Sequence, residues 1–263
     1  MAGCAVTFLG SGDAFHAGGR GHSCYLVEDA LGAVAVDFGA TALAALRRLA
    51  KDSAALDAIL VTHLHGDHFA GLPFLLLDAV HRHRRERPLI VAGPPGIEAR
   101  VRALTQACYG DVLAKARFDL RFMQWQEGRE IAVAGRLVLP VPALHPDPPE
   151  RAFSLRVTTG GVVVAFTGDT GRSDALADLA AGADLFVAEC ALWDEDYDRH
   201  LRRADWEDLL PRLSCPLVAF THMGDGALAH ADELLRLPHR AGTRLVLGED
   251  LLRLEFSRGQ EQA

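Results

Sequence analysis

Apolar residues along this chain fall into short runs separated by polar or glycine-bearing breaks, and the runs follow two different periods. "CAVTFLG" (4–10), "SCYLVE" (23–28) and "AVAVDFG" (33–39) are β-branched or aromatic-rich and bounded by glycine or polar residues, which predicts three opening strands. "TALAALRRLAKD" (41–52) changes to helical spacing, and "AILVTH" (58–63) returns to a buried strand that runs into a histidine. A helix over 72–87, a strand over 88–93 and a helix over 96–109 complete a layered α/β unit. From Arg117 the pattern repeats, with strands over 117–125, 130–135, 136–144, 152–157 and 161–170. Helix, strand, helix and strand then follow over 173–181, 184–189, 204–213 and 216–222. Two strand-rich halves, about 1–110 and 111–263, predict an α/β fold with two sheets face to face and helices outside. No linker rich in Pro, Gly or Ser divides them, so a single domain over 1–263 is expected.

Composition narrows the function more than the fold. With 263 residues, 49% apolar and 24% charged, the chain can bury a large core. Its net charge of −8 argues against coating nucleic acid by bulk positive charge, and leaves only a locally cationic site open. No apolar stretch approaches the roughly 18 residues that span a bilayer, and residues 1–10 lack a basic segment followed by a long apolar one, so a cytoplasmic protein without membrane partners is expected. The five cysteines are scattered and form no C-x-x-C pair, which reads as reduced thiols buried as small hydrophobes.

The chemistry concentrates in "THLHGDHFAGLP" (62–73), where three histidines and an aspartate stand within six positions at the end of an apolar run. His63 and His65 flank one residue and can reach the same ion, while Asp67 and His68 project differently and can reach a second. Imidazole nitrogen with carboxylate oxygen suits zinc, with manganese or iron also compatible. A catalytic one-metal site needs three protein ligands, so four here point to two divalent ions. Surface histidines on a polar loop are the bland alternative, and the placement directly after a β-rich run speaks against it.

This stretch resembles the H-x-H-x-D-H signature of the metallo-β-lactamase-fold hydrolases. That family expects an aspartate closing an early strand, and "VAVDFG" supplies Asp37. "VPALH" supplies a later His145, "VAFTGDT" supplies Asp169, and "LVAFTH" supplies His222, in the family's order. The resemblance implies an αββα sandwich of two mixed β-sheets, with metals at one edge between them. It implies that His63, His65 and His145 hold one ion, that Asp67, His68 and His222 hold the other, and that Asp169 bridges them. Asp37 would orient the histidine loop by hydrogen bonds, and Asp67 would also count among the catalytic groups. Two ions roughly 3.5–4 Å apart can share a water and lower its pKa toward neutrality, which makes a metal-bridging hydroxide the implied nucleophile. An aspartate at 169, where β-lactam-hydrolysing relatives use a thiolate, argues against antibiotic hydrolysis.

Beyond the metal ligands the chain resembles the ribonuclease Z-like phosphodiesterase branch. Glu189 closes the next strand and His200 follows eleven residues later, matching a pair that passes a proton to the leaving oxygen in that branch. Leu201 departs from the small hydroxyl residue usual there. Only 16 residues separate His145 from Val162, so the protruding arm that grips transfer RNA is missing. The early loop "GDAFHAGGRGHS" carries Arg20, which could pair with a phosphate, and His22, which could contact substrate. The expected partner is therefore a small or cyclic phosphodiester, not transfer RNA. A homodimer through the helix around 72–87 is implied by resemblance alone. Alternatives on the same site are hydrolysis of a lactone, thioester or sulfate ester, or a metal-dependent binding or redox role. "HRHRRER" (81–87) reads as the solvated end of a helix, where cations suit the dipole. Trp193 and Tyr197 either line a pocket or cover the core.

Overall fold

The computed structural model describes residues 3–146 and 148–257. Its strands are β1 (Gly3–Gly10), β2 (Cys24–Asp29), β3 (Gly32–Val36), β4 (Leu56–Leu60), β5 (Leu89–Gly93), β6 (Leu120–Gln124), β7 (Ile131–Val133), β8 (Arg136–Ala143), β9 (Ala152–Thr159), β10 (Val162–Phe166), β11 (Leu185–Glu189), β12 (Leu217–Thr221), β13 (Arg244–Leu247) and β14 (Arg253–Ser257). They form two seven-stranded sheets, ordered β14-β1-β2-β3-β4-β5-β6 and β13-β12-β11-β10-β9-β8-β7. In each, an antiparallel meander leads into four parallel strands: β3 to β6 in the first sheet and β10 to β13 in the second. The helices are α1 (Ala42–Arg48), α2 (Gly66–Phe69), α3 (Leu72–Leu77), α4 (Ile97–Tyr109), α5 (Ala175–Ala180), α6 (Arg203–Leu209), α7 (Asp225–Ala229) and α8 (Ala231–Leu234).

Side-chain alternation builds the layers. Along β3, β4 and β11, Val34, Val36, Ala58, Leu60, Leu185 and Val187 enter the space between the sheets. Their neighbours Ala35 and Ile59 face α1, α3 and α4, and Phe186 and Ala188 face α5 and α6. Both faces of each parallel segment are thus buried, which explains why these strands read as continuous apolar runs. The result is the expected αββα sandwich of two mixed sheets.

Several local expectations differ. β4 ends at Leu60, short of the histidine, because Asp37 captures the Thr62 N–H and the Trp125 indole captures the Val61 carbonyl. The helix expected over 72–87 stops in a π-turn at Asp78–Arg82, and Arg84 adopts a left-handed backbone with φ 47°. The following Arg85 is buried, not solvated, and its guanidinium donates to the carbonyls of Ala54, Leu56, Arg87 and Pro88. The strand expected over 117–125 as part of the second half is β6, an edge of the first sheet, while β14 returns from the far end of the chain to pair with β1. α7 and α8 have no counterpart in the apolar pattern.

At the end of the sandwich where β2 and β9 terminate, Arg136 and Asp29 join the sheets. Both side chains are 1% exposed, and the guanidinium donates at 2.9 and 2.7 Å to the two Asp29 oxygens. Thr159 also donates to Asp29, and Arg136 donates to the Ala134 carbonyl. Burial raises the Asp29 carboxyl, but Arg136 and Thr159 outweigh it and hold it below the usual carboxylate range. A depressed carboxylate contributes stability that is complete above its unfolded pKa and lost as pH falls through the folded value. Arg136→Met should cost about 3–5 kcal/mol in urea denaturation at neutral pH, because it strands a buried carboxylate. The gap between variant and wild type should close on acidification below the ordinary aspartate range; a gap unchanged by acid would mean that Asp29 is not the group responsible.

Candidate metal centre

Strand direction brings the site together. Asp37 follows β3, His63 and His65 follow β4, His145 follows β8, Asp169 follows β10, Glu189 ends β11 and His222 follows β12. Within each sheet these strands share one direction through the meander and parallel pairings, and the contacts of Asp169 with His63 and His68 put the C-terminal ends of both sheets on the same edge of the sandwich.

The histidine motif is shaped by its first two turns. His65 is extended (φ −80°, ψ 150°) and caps the one-turn helix α2, which places Asp67 and His68 on a helix and His63 and His65 ahead of it. The Phe38 N–H donates to the His68 carbonyl and the Gly71 N–H returns to the Phe38 carbonyl. That close approach requires glycine at 39, where a Cβ would lie 2.2 Å from the Asp67 carbonyl oxygen. Asp37 (φ 57°) and His222 (φ 52°) both hold left-handed backbones, an uncommon conformation that clusters at functional sites.

The two oxygens of Asp169 divide the cluster. Oδ1 lies 3.3 Å from His68 Nε2 and 3.4 Å from His222 Nε2; Oδ2 lies 3.6 Å from His63 Nε2 and 3.7 Å from His145 Nε2. Asp67 Oδ2 is 3.2 Å from both His68 and His222 Nε2, and His65 Nδ1 is 2.9 Å from His145 Nε2. The structure thus assembles two groups, His63–His65–His145–Asp169 and Asp67–His68–Asp169–His222, each with ligand atoms within 4.8 Å of one another. All seven residues except His65 are buried.

The opposite ring atoms are committed elsewhere. His68 Nδ1 donates to Asp37 at 2.8 Å, and His145 Nδ1 donates to the Arg199 carbonyl at 3.0 Å. Such partners fix the ring orientation and leave Nε2 facing the site. Asp37 is itself held by the Thr62 N–H and hydroxyl, and the hydroxyl also lies 3.1 Å from His63 Nδ1. Thr62 is a site residue that sequence reasoning passed over, although it stands immediately before the motif. Burial drives His63 well toward the neutral form and lowers His145 as well. Burial also lowers His68 and His222, but the surrounding carboxylates reverse this and raise both. Asp169 is raised by burial and pulled far below its usual range by His222, His68 and His63.

Beside this cluster, Glu189 (1% exposed) accepts the His200 Nδ1–H at 2.9 Å. It also accepts the backbone N–H groups of Thr170, Ala191 and Leu201. The His200 ring lies 4.7 Å from that of His145 and 5.7 Å from that of His222, so the pair reaches the centre from one side. Burial lowers His200, and Glu189 more than offsets it, raising the imidazole to about 9. Leu201 is buried and supplies a backbone donor in place of a hydroxyl. The glycine-rich loop is pinned by Asp250, which accepts from Ser11 and Gly21. His22 stacks on His16 at 3.9 Å, and partial burial together with the His16 imidazole lowers it toward the neutral form. Arg20 donates to the Gly248 carbonyl at 2.6 Å, so pairing with a phosphate would compete with that bond. Trp193 is buried against His230, whereas Tyr197 is exposed.

Residues present fit divalent cations. His63 Nε2, His68 Nε2 and Asp169 Oδ1 are buried without a hydrogen-bond partner, and three buried carboxylates sit among them. Metal ions would use those lone pairs and balance that charge. A His/Asp cluster divided by one carboxylate, at the strand-end edge of an αββα sandwich, defines a metallo-β-lactamase-fold protein. The beta-lactamase superfamily domain profile matches residues 33–231, and the chain belongs to that superfamily, a family of metal-dependent hydrolases. An uncharacterised protein of Mycobacterium leprae is 31% identical over 169 residues, covering 62% of this chain and 56% of that protein. The ribonuclease Z of Mycobacterium bovis is 29% identical over 194 residues, covering 69% of this chain and 68% of the relative. In fold, the chain resembles the metallo-beta-lactamase fold protein YhfI from Bacillus subtilis, with a TM-score of 0.80 at 20% identity, covering 97% of this chain and all of the other.

The Asp37–His68 contact generates a test. Asp37→Asn keeps the shape but withdraws the negative acceptor, and should weaken metal binding about 10–100-fold in a chelator competition. An affinity equal to wild type would remove Asp37 from the orientation of His68.

Proposed function

We propose that this chain is a dinuclear metal-dependent phosphodiesterase acting on a small or cyclic phosphodiester. The observation that carries the reading is the Glu189–His200 pair set against a centre that one carboxylate divides in two. His63, His65, His145 and Asp169 would hold one ion, and Asp67, His68, His222 and Asp169 the other, with zinc best suited to the nitrogen-rich donor set. When bound, the ions supply Lewis acidity and an activated water. The chain's own residues supply the rest. Glu189 holds His200 by Nδ1, so Nε2 carries the mobile proton, and the raised imidazole arrives protonated at neutral pH. Its proton goes to the departing alkoxide oxygen. The same bonds to Thr170 and Leu201 fix Glu189, so the imidazole stays aimed during the reaction.

The ribonuclease Z relative supports phosphodiester chemistry in general. Transfer RNA is disfavoured as substrate, because β8 and β9 are joined by residues 144–151 alone, with no room for a gripping arm. The operating partner is a small molecule in the cytoplasm.

Three outcomes check this reading. Metal analysis after zinc or manganese loading should give two ions per chain, and Asp169→Ala should lose metal and activity together; one ion at saturation would end the dinuclear assignment. His200→Ala and Glu189→Gln should keep their metal and lose about 10²–10⁴-fold on an alkyl phosphodiester, with a far smaller loss on bis(p-nitrophenyl) phosphate, whose leaving group needs no proton. Equal losses on both substrates would exclude general acid catalysis by His200. A transfer-RNA precursor with a 3′ trailer should stay largely uncut by the metal-loaded enzyme, and efficient cleavage would overturn the small-substrate assignment.

A further inference from the structure

Among the described residues, six large hydrophobic side chains are exposed, and three of them, Phe15, Leu144 and Tyr197, lie on loops that build the site. Leu144 directly precedes His145; its N–H donates to Thr170 Oγ1 and its carbonyl accepts the Gly171 N–H at 2.8 Å. Gly171 is where two loops meet, since a Cβ there would lie 1.9 Å from the Asp198 carbonyl oxygen and 3.4 Å from that of Leu144. The Arg199 carbonyl is held by His145 as well. Tyr197 therefore rides on a segment docked against Leu144, and its ring centre lies 5.9 Å from that of His200, tilted by 38°. Tyr197 is 53% exposed and Leu144 50%, although hydrogen bonds between side chains and backbone hold the loops that present them. Apolar groups fixed beside a polar centre offer a surface to the part of a ligand that projects from it.

We infer that Tyr197 and Leu144 form the leaving-group subsite and take a planar aromatic ring, such as a nucleobase, carried on the departing alcohol. The inference rests on the phosphodiesterase reading, because His200 marks the side on which the leaving oxygen is protonated. An open ledge with a tyrosine face suits a flat ring better than an alkyl chain, which gains most from enclosure. Phe15, 89% exposed, lies on a loop whose Gly12 bridges Met223 next to His222, and is not required by the proposal.

The test separates ring recognition from proton transfer by using leaving groups of similar basicity. Methyl 1-naphthylmethyl phosphate and methyl cyclohexylmethyl phosphate both release a primary alcohol that needs the His200 proton. Wild-type kcat/KM should favour the naphthyl ester by about 10-fold or more, the range expected of one aromatic stacking contact. Tyr197→Ala should reduce that preference to about 3-fold or less, and Tyr197→Phe should keep it, because the ring face is retained. Calorimetric binding of the two matching methylphosphonate monoesters gives a readout independent of turnover, with the same ratio expected. Stronger naphthyl binding without hydrolysis of either ester would uphold the subsite and overturn the phosphodiesterase reading. Absence of a ring preference in both measurements, or a preference that survives Tyr197→Ala, would overturn the subsite.

Discussion

Three carboxylates, Asp37, Asp67 and Asp169, are taken out of water within one cluster, and the rest of the site is organised around compensating them. An unpaired buried carboxylate is costly enough to lose its charge or unfold its surroundings. Here each is met by imidazole: Asp37 by His68, Asp67 by His68 and His222, and Asp169 by His63, His68, His145 and His222. His68 touches all three and is the hub of the arrangement. The same proximity that satisfies the charges creates the two ligand groups, so stability and metal competence come from a single set of contacts.

Bringing these groups together is a task of topology. Parallel strands deliver their C-terminal ends to one edge, and the duplicated arrangement of meander followed by parallel strands contributes two of the ligand-bearing strand ends from the first sheet and four from the second. Left-handed backbones at Asp37 and His222 show where chain direction has been bent to serve the site. Each is stabilised by a backbone hydrogen bond, from the Asp37 N–H to Leu60 and from the His222 N–H to Ser11. The sheets are joined at the other end by Asp29 and Arg136, which leaves the site edge free to carry polar loops.

The loops over the centre are held as well as placed. Glu189 collects three backbone N–H groups and an imidazole, tying the Asp169 loop to the segment that bears His200. Asp250, from near the other end of the sequence, fixes the glycine-rich loop at Ser11 and Gly21. Preorganisation of this kind holds the His200 imidazole in one orientation beside the centre.

How much of this was legible in the sequence depends on the range of the contact involved. Strand and helix positions followed from local apolar period, and the histidine motif was conspicuous because four ligating residues lie within six positions. Asp37, His145, Asp169, Glu189 and His222 were assigned through the resemblance to the metallo-β-lactamase fold, which expects such residues at or just beyond the ends of apolar runs. Arg85 could not be read this way: its charge looks solvated until the carbonyls of Ala54 and Leu56, about thirty residues earlier, are brought beside it. The same holds for Arg20, which meets Gly248 only through the fold, and for β6, whose apolar run does not reveal which sheet it joins. Thr62 looked like an ordinary strand residue until its hydroxyl met Asp37. Sequence alone determined which residues can ligate, titrate or pack, since that chemistry belongs to each side chain; tertiary structure decided which of them meet, because pairing between distant strands sets those distances and no local pattern encodes them.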